Sequence, residues 1–179
     1  MIHIGIIGSD EHGVEIGNAL KKAGAVIYFS DVEDDRTSQS AAQRLGESAV
    51  ATTPYQQAVH CDALCLAVRW EQLDRALTAI GPYKDGIVID ATRPPDLGRL
   101  SGAELVAHKL DNRHVVKAFV EPIASNAFIK IAADDPQARA EVGELIAHSG
   151  HSPLDIGPLA NARVIEREFA KTLPLSPSS

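Results

Sequence analysis

The sequence predicts a doubly wound α/β fold, with a mainly parallel sheet carrying helices on both faces, and three observations lead there. The chain opens on a β-rich run, Ile2 to Gly8, that ends in glycine and is followed by a helical pattern and a second β-rich run. Strand-like and helix-like segments then alternate almost to the end, which implies parallel pairing. Finally, 179 residues suit one domain with its own core, and no repeat or low-complexity linker divides them.

Taken in order, Val14 to Ala23 has apolar residues at helical spacing (Ile16, Ala19, Leu20), and Gly24 suits the left-handed position after a helix. Ala25 to Ser30 is the next strand and closes a βαβ unit. A helix through Ser40 to Leu45, a weak strand at Ala49 to Thr52 and a short helix at Tyr55 to Val59 lead to the strand Ala63 to Val68. Glu71 to Ile80 reads as helix and Gly86 to Ala91 as strand. The last part reads as a helix near Ala103 to Lys109, strands at Val115 to Phe119 and Ala127 to Ala132, a helix at Pro136 to Ser149 and a final helix after Pro158. Asp134, Asp135 and Pro136 suit the first turn of the penultimate helix, whose free amides and dipole favour acid and proline. The domain is expected to span residues 1–172, with a flexible tail from Leu173 to Ser179.

Composition narrows the function. The chain is 45% hydrophobic and 23% charged, with a net charge of −7 and no long basic run, so neither nucleic acid nor an anionic membrane is the expected partner. A small-molecule ligand is. The opening apolar run is too short for a signal sequence, and no stretch approaches the ~18 residues of a bilayer span. Cys61 and Cys65 lie four residues apart in extended chain, too far for a disulfide, and reduced thiols fit a cytoplasmic setting.

In an open parallel sheet, ligands bind beyond the carboxyl ends of the strands, where strand order reverses. That rule selects Gly8, Ser9, Asp10, Glu11, His12 and Gly13 after the first strand, and Ser30 and Asp31 after the second. It also selects Val68, Arg69 and Trp70 after the fourth strand, and Thr92 and Arg93 after the fifth. Gly8 and Gly13 stand where a dinucleotide fold needs a tight turn and a close helix–strand approach, but Asp10 occupies the middle position. Two readings of Asp10 are open: its carboxylate faces the diphosphate and repels it, or it turns outward as a helix N-cap. Asp31 reads either as the acid that accepts ribose hydroxyls or as a solvated residue in the acidic run 31–35. Arg69 and Arg93 follow strands that converge on one edge, where together they could clamp a phosphate or carboxylate; alternatively each pairs with a surface acid such as Glu71 or Asp96. Trp70 is a stacking wall or a cover on the core, and His12 is the histidine best placed for proton chemistry, although no catalytic residue is assigned. His148 and His151 lack acidic or cysteine neighbours in sequence, so no metal is expected.

Five blocks carry a resemblance over most of the chain: GIIGSDEHG at Gly5 to Gly13, LAVRWEQL at Leu66 to Leu73, GIVIDATRP at Gly86 to Pro94, VVKAF at Val115 to Phe119, and DIGPLANARVIE at Asp155 to Glu166. Together they resemble the deazaflavin (coenzyme F420)-dependent NADP oxidoreductase family and related dinucleotide-binding proteins. The resemblance implies a Rossmann fold, an NAD or NADP cofactor, hydride transfer between nicotinamide and a flavin or deazaflavin, and a homodimer. Such a transfer needs ring alignment more than an acid–base residue. The chain departs from the family pattern at its ligand-facing positions. Asp10 replaces the second loop glycine, and Ser30-Asp31 stands for the Ser-Arg that greets a 2′-phosphate, which favours NAD(H) over NADP(H). The family's Val-Pro-Trp is Val68-Arg69-Trp70, its Asp-Ala-Thr-Asn-Pro is Asp90-Ala91-Thr92-Arg93-Pro94, and its Lys-Ala-Phe-Asn is Lys117-Ala118-Phe119-Val120. Cationic charge thus enters where two flat rings should stack. Besides an oxidoreductase, a non-catalytic member that binds another small anion and a dimeric interaction protein are therefore open readings.

Overall fold

A computed structural model describes residues 1–95, 97–125 and 127–172. The expected tail from residue 173 onward, and Asp96, lie outside these described residues. The chain runs β1 (His3–Ile7), α1 (Glu11–Lys22), β2 (Val26–Ser30), α2 (Asp35–Leu45), β3 (Ala49–Ala51), α3 (Pro54–His60) and β4 (Ala63–Leu66). A 3₁₀ turn, Trp70–Gln72, leads into α4 (Leu73–Ile80), then β5 (Ile87–Asp90), α5 (Gly102–Leu110), β6 (Val115–Lys117) and β7 (Phe128–Ala133). The described chain closes with α6 (Pro136–His148), β8 (Ser152–Asp155), a second 3₁₀ turn and α7 (Ala162–Thr172). No helix among the described residues is long and apolar enough to cross a membrane.

All eight strands form one sheet in the order β3-β2-β1-β4-β5-β6-β7-β8. The pairs are parallel except β6 against β7, so the predicted, mainly parallel Rossmann-type architecture is what the chain adopts. Strand alternation sorts the core onto the two sheet faces. Ile4 and Ile6 of β1 join Ile16, Leu20, Ile27 and Phe29 on one side, whereas Ile7 joins Leu64, Leu66, Leu73, Val88 and Ile165 on the other. Each such side chain, fully removed from water, stabilises the fold by about 1.5–3 kcal/mol.

Three elements differ from expectation, each for a local reason. Helix α1 begins three residues before Val14, because Asp10 caps it and draws His12 and Gly13 into its first turn. Helix α2 begins at Asp35 rather than Ser40, since Asp34 caps a polar opening turn that carries no apolar period. Strand β8 is an addition: all four of its residues are exposed, it contains Pro153, and it is held by pairing with β7. A short edge strand without alternation leaves no signal in sequence.

Candidate functional site

Strand order reverses between β1 and β4, so the crevice of the sheet opens above the loop Gly8 to Gly13. Two glycines there are required by contact. Gly8 has φ +108, and a Cβ on it would lie 2.6 Å from the Ala67 backbone; a Cβ on Gly13 would lie 2.0 Å from the Gly8 carbonyl oxygen. That closeness brings the first turn of α1 down onto the end of β1. Gly13→Ala is therefore expected to push the helix off the strand, costing about 1–3 kcal/mol in urea unfolding together with any ligand affinity of the cleft, because a backbone carbonyl cannot swing aside. A variant with wild-type stability would show that the contact relaxes freely.

Asp10 is the N-cap of α1, exposed, with Oδ1 accepting from the Gly13 amide at 3.1 Å. The N-cap reading describes its hydrogen bond, while the same side chain borders the cleft beside His12 and Arg93. The neighbouring Glu11 pairs with Arg44 of α2 at 3.2 Å on the surface. Ser9 is buried, and its hydroxyl donates to Asp31 Oδ2 at 3.0 Å, with the Ser9 amide at 3.4 Å from the same oxygen. Asp31 Oδ1 accepts from the Glu33 amide at 2.9 Å. Asp31 is thus neither loose nor fully solvated: its carboxylate is fixed at the end of β2 against the glycine loop, with acceptor capacity remaining. Ser30 is fully buried and offers its backbone carbonyl to the Gly8 amide at 2.9 Å.

On the other side of the crevice, Asp10, His12, Val68, Arg69, Trp70 and Arg93 line one cleft. Arg69 is exposed; its guanidinium lies 3.6 Å from the Glu33 carboxylate and donates to Gln72 at 3.4 Å. Arg93 is half-buried, and it donates from Nε to the Val120 carbonyl at 2.7 Å, lies with Nη2 3.0 Å from His12 Nδ1, and sits over the Phe169 ring with Cζ 4.5 Å from the centroid. The two arginines line one cleft and take separate protein partners, Arg69 an acid and Arg93 a carbonyl, a histidine and an aromatic ring. Thr92 turns inward, its amide and hydroxyl both donating to Asp90 Oδ1 at 2.9 and 2.6 Å.

His12 is nine-tenths buried, and burial, reinforced by the Arg93 charge, pushes its pKa down to about 4 against the opposing pull of Asp10. It is neutral at pH 7, and because Nδ1 accepts from Arg93, the ring proton resides on Nε2. Burial likewise lowers the Arg93 pKa, with Asp10 and Glu15 opposing from a distance.

Sequence reasoning missed the ion cluster beneath the cleft. Lys117 is wholly buried, and its Nζ lies 2.9 Å from Asp90 Oδ2, 2.9 Å from Glu166 Oε1 and 2.7 Å from the Thr92 carbonyl. Glu166 Oε2 accepts from the Gly102 amide at 3.0 Å. A signal was present: Lys inside VVKAF and Asp inside GIVIDA interrupt otherwise apolar strands, and charges are seldom buried unpaired. Just beyond Lys117, Phe119 holds a left-handed φ of +57 while nearly fully buried, a costly conformation for a non-glycine residue and one that marks functional segments.

Comparison with known proteins agrees with this fold. The chain is 27% identical over 184 residues to metalloreductase STEAP3 of Rattus norvegicus, covering 96% of this chain but only 37% of that protein. A putative F420-dependent NADP reductase from Arthrobacter sp. FB24 superposes with a TM-score of 0.79 at 20% identity, covering 96% of this chain and 91% of that one. A hypothetical protein from Sinorhizobium meliloti superposes equally, with a TM-score of 0.79, 24% identity and coverages of 89% and 87%. Residues 3–94, which carry the glycine loop, Asp31, Arg69 and Arg93, match the family described as NADP oxidoreductase, coenzyme F420-dependent. With half of its length matching, from the first strand through the fifth, the chain belongs to the coenzyme F420-dependent NADP oxidoreductase family.

Proposed function

We propose that this protein is an oxidoreductase that binds a nicotinamide dinucleotide in the crevice above β1 and β4 and exchanges a hydride with a small acceptor, a flavin or deazaflavin being the class its family implies. The observation that carries this reading is the glycine turn: a Cβ at Gly13 would meet the Gly8 carbonyl on which α1 is seated, and a Cβ at Gly8 would meet the Ala67 backbone just past β4, the close approaches that the turn of a dinucleotide fold requires. The cofactor supplies the hydride chemistry when bound. Residues of the chain bind and orient. The free amides at the start of α1 would face the diphosphate, Asp31 would accept the ribose hydroxyls, and Trp70 would wall the cleft beside Val68. Neutral His12 and the half-buried Arg93 shape the floor without offering an acid–base group tuned near pH 7.

Asp31 also sets the expected cofactor preference. A carboxylate fixed by Ser9 at the end of β2 repels a 2′-phosphate, so NADH should bind roughly five- to tenfold more tightly than NADPH, the effect of one partly screened charge contact. Calorimetric titration of both nucleotides tests this, and Asp31→Ser should narrow the gap. Tighter binding of NADPH by the wild-type protein would overturn the assignment of Asp31.

A further inference from the structure

We propose that Arg93 is an anion anchor, a preformed site in the cleft for a phosphate or carboxylate group of a ligand. The proposal deepens the reading of this crevice as the ligand site but stands on its own contacts. Arg93 is half-buried, and no carboxylate among the described residues lies within ion-pair distance of it. Arg44, Arg69 and Arg139, by contrast, each pair with an acid at 3.2 to 3.6 Å. A cation withdrawn from water without a counter-ion is costly, and such a cost is met either by neutralisation, which arginine resists, or by an anion supplied from outside.

The guanidinium is also rigid. Its plane lies over Phe169, Nε is committed to the Val120 carbonyl, and Nη2 meets His12 Nδ1. Those contacts use two of its five N–H donors and leave the rest of the fork for a ligand in the cleft that Trp70 and Asp10 also line. His12 contributes as a neutral acceptor, so it orients the fork without cancelling its charge. A preorganised fork loses little entropy on meeting a planar or tetrahedral oxyanion. Surface lysines or a mobile arginine would not satisfy that condition.

The anion could be the diphosphate of the cofactor or an acidic group of the second ligand, and three calorimetric titrations separate them: inorganic pyrophosphate, NADH, and oxalate added to NADH-saturated protein. Replacing Arg93 with Gln should weaken at least one of these about tenfold or more, as expected for loss of charge-assisted hydrogen bonds. Parallel losses for pyrophosphate and NADH identify the cofactor's diphosphate; a loss for oxalate with NADH binding kept identifies the second ligand. Circular dichroism checks the fold, and Arg93→Lys, which keeps the charge but not the fork, should show a weakening of the same ligand if the glutamine variant does not fold. A wild-type protein that binds pyrophosphate through Arg93 but ignores NADH would sink the dinucleotide reading and leave the anchor standing. Unchanged affinities in both variants, or a wild-type protein that binds none of the three probes, would overturn the anchor.

Discussion

Replacing Lys117 with Met is expected to destabilise the protein by about 3–5 kcal/mol, the cost of breaking a buried ion cluster from one side. Among the described residues the lysine is the cation that touches Asp90 Oδ2 and Glu166 Oε1, both at 2.9 Å among groups almost wholly removed from water. Methionine fills a similar volume but leaves two carboxylates facing each other without their shared counter-charge. For a chain of this size, such a loss lowers Tm by roughly 6–20 °C. Removing one acid instead, by Glu166→Gln, keeps the Asp90–Lys117 pair and should cost clearly less. The pair of variants distinguishes charge from packing. Urea unfolding of Lys117→Met, Glu166→Gln and the double variant provides the measurement: a double variant more stable than Lys117→Met alone is expected, because the second change removes one of the stranded charges. If Lys117→Met were as stable as wild type, the cluster would have no part in holding α7 to the ends of β5 and β6.

The stability of the wild-type protein should also fall as pH drops from 6.5 towards 4, through His12. Burial first, and the Arg93 charge second, lower the pKa of this histidine in the folded state from 6.5 to about 4. In that window the unfolded chain takes up a proton that the folded protein refuses, so stability is fully present above 6.5 and is lost as pH falls through the window. A depression of this size corresponds to at most ~3 kcal/mol overall and to ~2 kcal/mol between pH 7 and pH 5. His12→Gln removes the titration while leaving a side chain that can accept from Arg93. Urea unfolding at the two pH values should therefore show a wild-type loss that exceeds the variant's by about that amount. Parallel losses in the two proteins would mean that the imidazole is far more hydrated than its buried position indicates.

The parts of the site legible in sequence are those made by neighbours along the chain. Strand, glycine turn and helix follow one another within Ile2 to Ala23, so the close approach at Gly13 and the capping position of Asp10 are local consequences of spacing. Asp31 was recognisable because the end of β2 always returns beside the loop after β1 in this topology. Its bond to Ser9 was not, since the sequence shows Asp31 only as one of several acids in a run.

The rest depends on contacts across long separations. His12 meets Arg93 across 81 residues, and Lys117 reaches Asp90 across 27, so no local period or motif announces either. The sequence placed Arg69 and Arg93 on one edge; the fold decided that Arg69 faces Glu33 while Arg93 sits over Phe169. Strand β8 shows the same division, for its four exposed residues carry no pattern and become a strand by pairing with β7. Apolar periodicity and glycine spacing by themselves determined the architecture and the crevice, because burial of an alternating or helical stripe is a requirement each segment meets independently of the others, whereas the family was legible only through the resemblance of five motif blocks. Which charges lost water and which found partners was decided only by tertiary structure, because desolvation and pairing depend on what distant segments bring to the same few ångströms.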